Sequence, residues 1–112
     1  MSQDCLFCRI IRKEIPSKFV YEDDQVFAFH DIQPAAPVHV LFVPKKHVAS
    51  VAHVPTDDPT VAVLADRAVK IAEKLGITKT GFRLIMNYGS DAGQTVDHLH
   101  MHLLGGKQLP HF

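Results

Sequence analysis

The sequence predicts an α+β fold, in which a mainly antiparallel sheet of about five strands packs with one long and one short helix. Three observations support this fold class. Short runs of apolar and aromatic residues alternate with turn-forming residues along most of the chain. One longer segment repeats its apolar residues with the period of an amphipathic helix. Near the C-terminal end, three histidines stand at alternate positions, which is the period of a β-strand.

The first part of the chain predicts a short helix followed by a hairpin. The helix spans residues 5 to about 12, with Asp4 as its N-cap and Pro16 beyond its end. Residues 18–22 and 25–31 follow as two strands joined by a tight turn. Alternate side chains of the second strand point to opposite faces, one set being Val26, Ala28 and His30 and the other Phe27, Phe29 and Asp31.

The middle of the chain predicts a buried strand and the long helix. Residues 38–43 are almost continuously apolar, which is typical of a central strand, and His39 is the one interruption. Asp58 is a suitable N-cap for a helix whose apolar positions run through residues 61–75. Gly76 fits the left-handed position that commonly ends such a helix.

A strand over residues 81–87 and a glycine-containing loop over 88–95 lead into the histidine segment, residues 96–104. As a strand, this segment places three imidazoles on one face and three apolar side chains on the other: His98, His100 and His102, and Leu99, Met101 and Leu103. Three interpretations of the histidine face stay open. It is a metal site, a surface strand with incidental histidines, or a site of nucleophilic catalysis by a neutral imidazole.

Length, composition and charge limit the classes of function. The 112 residues fit one domain, residues 1–112, that is large enough to bury a core. Twelve basic and twelve acidic residues balance to zero net charge, which argues against a broad nucleic-acid-binding surface and weakens the case for a membrane-surface role. Because residues 1–4 have no signal-peptide character and no segment approaches a transmembrane span, we expect a cytoplasmic protein.

Both cysteines of the chain lie in the motif Cys5-Leu6-Phe7-Cys8. In a cytosolic protein this spacing indicates metal ligands or a redox pair before it indicates a structural disulfide. Eight histidines in a chain of this length also stand out from the rest of the composition.

The histidine segment carries a family resemblance. His98-Leu99-His100-Met101-His102-Leu103-Leu104 resembles the His-x-His-x-His-x-x signature, with x apolar, of the histidine-triad (HIT) nucleotide hydrolases and transferases. Further segments look like those of the Hint branch, the purine nucleoside phosphoramidases: residues 10–16, 29–32, 43–47, 93–96 and 105–108. The resemblance implies a HIT-like fold and hydrolysis of the P–N bond of adenosine or guanosine 5′-phosphoramidates.

The resemblance also implies a reaction that requires no cofactor. His100 would be the nucleophile that attacks the α-phosphorus and forms a nucleotidyl-histidine intermediate. A backbone carbonyl near His98 would hold the other ring nitrogen of His100, while His102 and His39 would contact the phosphate oxygens. The loop before the strand would meet the phosphate and the leaving group through Gly93, Gln94 and Thr95.

The same resemblance assigns a nucleotide pocket, although each assignment competes with a plainer interpretation. Asp31 would accept hydrogen bonds from both ribose hydroxyls, and the alternative is a turn residue at a strand end. Asn87 would help to bind the nucleotide, or would simply form a turn. Apolar residues that the pattern alone places in the core fall where the family lines its base pocket: Phe7, Ile10, Phe29, Ile32 and Leu41.

A structural zinc is the metal that the resemblance implies. Its ligands would be Cys5, Cys8, His47 and His98, a set suited to a closed tetrahedral site, and the alternative is a pair of reduced thiols. We also expect a homodimer, because the edge strands of a small antiparallel sheet are often covered by a second subunit. Two other functions stay open: a dinucleoside polyphosphate hydrolase, and a non-catalytic nucleotide- or zinc-binding module that acts through protein contacts.

Overall fold

The computed structural model describes residues 5–111, and the elements in this range confirm the predicted α+β class. In chain order they are α1 (Leu6–Ile11), β1 (Lys18–Glu22), β2 (Val26–His30), β3 (Val38–Pro44), α2 (Thr60–Lys74), β4 (Phe82–Ile85) and β5 (Met101–Gly105). Short 3₁₀ turns cover Val51–His53 and Ser90–Ala92. Within residues 5–111, neither helix is long and apolar enough to cross a membrane.

The strands form one sheet in the order β1-β2-β3-β5-β4, and every neighbouring pair is antiparallel. In the β3–β5 pair, Leu41 is opposite His102 and His39 is opposite Leu104. Residues that are diagonal across an antiparallel ladder share a face of the sheet. This register therefore brings His39 and His102 side by side.

The two faces of the sheet bury different apolar clusters. α2 packs over one face, where Val26 and Ala28 of β2 enter the larger core. On the other face, Phe27 and Phe29 of the same strand join Phe7 of α1 in a second core. The alternation predicted for this strand is confirmed, because its successive side chains enter opposite cores.

Both ends of α2 follow from its sequence. The N-cap is Pro59 and not the predicted Asp58, but Oδ1 of Asp58 accepts a hydrogen bond from the Thr60 N–H at 2.9 Å, so its carboxylate still satisfies the first turn of the helix. Gly76 comes directly after the C-terminal cap residue, Leu75, and has a φ of +76°. A residue with a side chain is disfavoured in this left-handed conformation, so the helix ends where the glycine predicts.

Strand β5 is shorter than predicted, because ladder pairing begins at Met101 and not at residue 96. The Leu99 N–H donates to the carbonyl of Val48 at 2.6 Å instead of joining the sheet. The prediction of one strand carrying all three histidines is therefore wrong. The division into two sides is right, since Leu99, Met101 and Leu103 all pack in the core beneath α2.

Helix α1 is also shorter than the predicted range of 5–12. Cys5 occupies its N-cap position without a side-chain hydrogen bond, and the predicted N-cap, Asp4, lies outside the described residues. Lys13 has a φ of 64°, which turns the chain out of the helix before Pro16 is reached. The predicted strand over residues 81–87 likewise shrinks to Phe82–Ile85.

Candidate functional site

A pocket of about 390 Å³ lies between α1, the end of β2 and the loop that precedes β5. Its lining combines aliphatic and aromatic side chains with imidazoles and a carboxylate. The predicted site residues that line it are Phe7, Ile10, Phe29, Asp31, Ile32, Leu41, Asn87, Gly93, Thr95, His100 and His102. Two predicted nucleotide contacts, His39 and Gln94, are not among its lining residues.

Sequence reasoning missed several residues of the pocket wall, which are Leu6, Ile15, Pro16, Ser17, His30 and Val96. Residues 15–17 belong to the irregular connection between α1 and β1, where no periodicity predicts which side chains point inward. The family resemblance over residues 10–16 is the sequence feature that covers part of this stretch.

Phe7 joins the apolar wall of the pocket to its histidines. Its ring packs edge-on against Phe29, with ring centroids 5.6 Å apart, and against His100, with centroids 5.1 Å apart. Phe7 and Ile10 are three residues apart on α1 and both are buried, so the helix presents them on one side. The short helix therefore fixes one edge of the His100 ring by packing.

One ring nitrogen of His100 is bonded to the backbone. Nδ1 lies 2.7 Å from the carbonyl oxygen of His98, and a carbonyl can only accept a hydrogen bond. The proton of a neutral imidazole is therefore on Nδ1, which leaves the lone pair on Nε2. His100 lines the pocket although only 9% of its surface is exposed. A nucleophilic histidine needs this combination of a held ring and a free lone pair.

His102 lies beside His100, with ring centroids 5.1 Å apart, and its Nδ1 is 2.9 Å from Nε2 of His39. Its other nitrogen, Nε2, is buried and has no hydrogen-bond partner among residues 5–111. Burial lowers the pKa of His39, and it lowers the pKa of His102 to about 4, so both rings are neutral at neutral pH. An unpartnered buried nitrogen on a pocket-lining residue indicates a place for a ligand atom.

The four predicted metal ligands, Cys5, Cys8, His47 and His98, come together in a second cluster. Nδ1 of His98 lies 3.4 Å from Sγ of Cys5 and 3.5 Å from Sγ of Cys8. Nδ1 of His47 lies 3.2 Å from the same nitrogen. Bond lengths of about 2.3 Å to sulfur and 2.0–2.1 Å to nitrogen place tetrahedral ligands roughly 3.3–3.8 Å from one another. The cluster could therefore hold a metal ion with little rearrangement.

The surroundings of His98 leave its Nδ1 ready to bind a metal. Nε2 donates a hydrogen bond to the carbonyl of Pro44 at 2.9 Å, so the lone pair of the neutral ring is on Nδ1. Burial lowers the pKa of His98 to about 4 and raises the pKa of the Cys8 thiol to about 11. A thiol buried in this way becomes a thiolate when a cation stabilises it. The donor set fits a divalent ion that prefers sulfur and nitrogen.

Another set of side chains is close enough, by distance alone, to hold a metal ion: Asp31, His39 and His102. The hydrogen bonds of His39 oppose this use. Its Nδ1 lies 3.0 Å from the backbone N–H of Ala35, which can only donate, so the ring proton is on Nε2. Nε2 is the atom that faces the other two residues, and it offers a metal no lone pair. The two groups thus differ in protonation although their distances are similar.

Gln94 holds the loop before β5 instead of lining the pocket. Its Nε2 donates to the carbonyls of Ala49 at 2.9 Å and Val96 at 3.1 Å. Its Oε1 accepts from the Gly89 N–H at 3.1 Å. The side-chain amide is therefore used within the protein, and the neighbouring Thr95, which is exposed, lines the pocket instead.

Comparisons with known proteins find similarity over almost the whole chain. The profile of the HIT domain matches residues 12–109 of the chain. An uncharacterized HIT-like protein from Synechocystis is 48% identical over 108 residues, which cover 96% of this chain and 94% of that protein. The purine nucleoside phosphoramidase of Escherichia coli K12 is 46% identical over 110 residues, which cover 97% of this chain and 92% of that enzyme.

Solved structures resemble the chain over almost its whole length. A histidine triad protein from Clostridium difficile matches with a TM-score of 0.94 and 51% identity, and the match covers 97% of this chain and 96% of that one. A HIT family hydrolase from Clostridium thermocellum matches with a TM-score of 0.93 and 49% identity, and the match covers 98% of this chain and 96% of that one. The similarity therefore extends over nearly the whole fold.

Proposed function

Since this chain belongs to the HIT domain family, we propose that residues 1–112 form one HIT domain that hydrolyses purine nucleoside 5′-phosphoramidates. The bond cleaved is the P–N bond, and the intermediate is a nucleotide bonded to His100. The observation that carries the proposal is the hydrogen bond between Nδ1 of His100 and the carbonyl of His98, because it leaves Nε2 as a lone pair at the pocket.

In the first step, Nε2 of His100 attacks the α-phosphorus and forms a P–N bond to the enzyme. The bond to the leaving amine breaks, its electron pair stays with the amine nitrogen, and the amine takes up a proton from the solvent. In the second step, water attacks the same phosphorus and releases a proton to the solvent, the P–Nε2 bond breaks with its electron pair returning to Nε2, and the nucleoside monophosphate leaves. His102 meets the phosphoryl oxygens through its Nε2, the buried nitrogen that has no partner among residues 5–111.

The rest of the pocket binds the nucleoside. The aromatic and aliphatic wall, with Phe7 and Phe29 in edge-to-face contact, is suited to the flat surface of a purine. Asp31 accepts hydrogen bonds from the ribose hydroxyls. Asn87 and Thr95 lie on the loop side of the pocket, where their polar groups meet the phosphate and the leaving group.

Zinc is the proposed occupant of the cluster of Cys5, Cys8, His47 and His98, and its role there is structural. It takes no part in the reaction steps and braces the chain that leads into β5. Thiolate ligands of this kind persist in a reducing compartment, in keeping with the cytoplasmic location that the sequence predicts. Elemental analysis of protein purified under reducing conditions, without added metal, should find close to one zinc per chain. Metal-free protein would contradict the zinc site.

The test of the reaction compares His100→Ala with His53→Ala on an adenosine 5′-phosphoramidate that carries a fluorogenic amine. His53 is an exposed histidine whose Nδ1 pairs with Ser50 outside the pocket, so it is the matched control. We expect His100→Ala to lose roughly 10³-fold or more in kcat, as removal of a nucleophile does. Mass spectrometry of the rapidly quenched wild-type reaction should find a nucleotide adduct on His100. Near wild-type turnover by His100→Ala would overturn the mechanism.

The same assay separates the two alternative functions. A dinucleoside polyphosphate hydrolase would have a higher kcat/KM on diadenosine polyphosphates than on the phosphoramidate. A non-catalytic binding module would bind a purine nucleotide and release no amine. The first result is not expected, because the chain is 46% identical to a purine nucleoside phosphoramidase. The second is not expected, because a binding module has no need of a histidine lone pair held open at the phosphate position.

The proposal extends to a homodimer. β4 lies at an edge of the sheet, and Val69 of α2 and Leu75, the cap residue after it, are 45% and 39% exposed. Unpaired strand edges and exposed apolar side chains are both features that a second copy of the chain covers. Light scattering at micromolar concentration should give twice the chain mass of 12.5 kDa, and a monomer would contradict the dimer.

A further inference from the structure

His39 has a donor on one side of its ring and acceptors on the other. The backbone N–H of Ala35 lies 3.0 Å from Nδ1. Nε2 faces Nδ1 of His102 at 2.9 Å and Oδ2 of Asp31 at 3.4 Å. A backbone N–H cannot accept a hydrogen bond and an ionised carboxylate cannot donate one. Both sides of the ring therefore favour the same tautomer, with the proton on Nε2.

The tautomer of His39 determines that of His102. Because Nε2 of His39 carries a proton and lies 2.9 Å from Nδ1 of His102, that nitrogen must accept. The proton of the neutral His102 ring is then on Nε2, the buried atom that has no partner among residues 5–111. Burial favours the neutral form of both rings, so a fixed tautomer describes each of them.

We propose that His39 is a positioning residue that acts through His102, in a relay that begins at the backbone N–H of Ala35. The relay keeps the proton of His102 on Nε2, where it serves as a hydrogen-bond donor to a phosphoryl oxygen. This inference rests on the proposed function and deepens it. It also replaces the direct contact between His39 and phosphate that the family resemblance implies, because Nε2 of His39 is already bonded.

The opposite tautomer of His102 would place a nitrogen lone pair against an anionic oxygen. That arrangement would repel the charge that develops on the phosphoryl group, whereas an N–H donor stabilises it. The relay is therefore needed for a donor to exist at this position. The same relay keeps Nε2 of His39 protonated, and this opposes metal binding between Asp31 and the two histidines.

The first test measures the tautomers directly, in the zinc-loaded wild-type protein without substrate. Long-range ¹H–¹⁵N correlation spectra of ¹⁵N-histidine-labelled protein distinguish Nδ1–H, Nε2–H and charged rings, and single-histidine variants assign the signals. At neutral pH we expect Nε2–H for both His39 and His102. A His102 ring that is protonated on Nδ1, or charged, would overturn the relay. This arm needs neither a folded His39 variant nor an active enzyme.

The second test replaces His39 by side chains that differ in their ability to donate. His39→Gln places an amide N–H near the position of Nε2, His39→Glu has the same shape with acceptors only, and His39→Leu has neither. Removing a donor to a developing oxyanion costs about 10²–10³-fold in kcat, so we expect that range for Leu and Glu. We expect Gln to be at least roughly tenfold more active than Leu.

The two tests fail in different ways. Equal activity of the Gln and Leu variants would show that donation by residue 39 has no effect, and this would overturn the relay while the reaction stands. The Glu variant could lose activity simply because its negative charge repels the phosphate. The Leu variant adds no charge, so an equal loss of activity in both variants is not explained by repulsion. If wild-type protein hydrolyses no phosphoramidate, the proposed function fails, and the tautomers of His39 and His102 are still read from the spectra.

Discussion

The carbonyl oxygen of His98 lies 2.7 Å from Nδ1 of His100. The side chain of the same His98 lies within 3.5 Å of Sγ of Cys5 and of Cys8. One residue therefore contributes its side chain to the metal-ligand cluster and its backbone to the proposed nucleophile. A change in the cluster that moves His98 also moves the acceptor that orients His100, although the four cluster residues do not line the pocket.

His47→Ala is expected to lower kcat about tenfold or more and to change KM little, within the 10–100-fold range typical of lost support around a metal. The variant removes one ligand from the cluster without touching the pocket, so substrate binding is preserved while the orientation of His100 is loosened. Metal content and steady-state kinetics are measured on the same preparation. His53→Ala is the control, and a metal-free His47→Ala enzyme with wild-type kcat would contradict the coupling.

Gln94→Met is expected to destabilise the protein by about 1–3 kcal/mol, because it leaves two carbonyls and one N–H without their partner. Gln108→Met is the matched control, since Gln108 is exposed near the end of the chain. Urea unfolding at pH 7 measures both. Equal midpoints for the two variants would show that the side chain of Gln94 does not hold the loop before β5.

The elements that the sequence predicts well are those with a strong local period. β2 places alternate residues in two cores, and α2 begins two residues after Asp58 and ends before Gly76, because each of these features depends on neighbours along the chain. The start of β5 could not be predicted in this way. The hydrogen bond from the Leu99 N–H to the carbonyl of Val48 joins distant parts of the chain, and no pattern in residues 96–100 predicts it.

The candidate site likewise has features that the sequence predicts and features that it does not. Alternation and spacing identify the histidines and the cysteine pair, but they treat all imidazoles as equivalent. What separates them is the partner of each ring nitrogen, which is Pro44 for His98, the carbonyl of His98 for His100, and Ala35 for His39. These partners are backbone groups. A backbone group carries no signature in the residue type, so the roles of the histidines emerge only from the folded chain.

Asp31→Asn is expected to raise KM for the ribonucleotide substrate about tenfold and to raise it less for the 2′-deoxy analogue, which keeps only the 3′-hydroxyl. A carboxylate accepts hydrogen bonds from both ribose hydroxyls, and hydrogen bonds to a charged group contribute about 1.5–3 kcal/mol each. The measurement is the ratio of kcat/KM for the two substrates in wild type and variant. An unchanged ratio would contradict ribose binding by Asp31 and favour a purely local role, in which its Oδ1 accepts from the Gln33 N–H.

Asp23 ties the turn between β1 and β2 to α2. Its Oδ2 accepts from the Tyr21 hydroxyl and from Nε of Arg67, each at 2.6 Å, and its Oδ1 accepts from the N–H groups of Gln25 and Val26. Burial alone would raise the pKa of this carboxyl, but these hydrogen bonds outweigh it and hold the pKa well below its usual range.

Asp23→Asn is expected to cost about 1–3 kcal/mol of stability at pH 7, because the amide cannot replace the charged acceptor. The folded-state pKa of Asp23 is depressed, so its contribution is fully present above the unfolded pKa of about 3.9 and is lost as the pH falls toward the folded value. The stability difference between wild type and Asp23→Asn should therefore narrow below about pH 4. Urea unfolding at pH 7 and pH 3 measures it, and Asp24→Asn, an exposed neighbour, is the control. A difference that stays constant between the two pH values would show that the charge on Asp23 does not stabilise the fold.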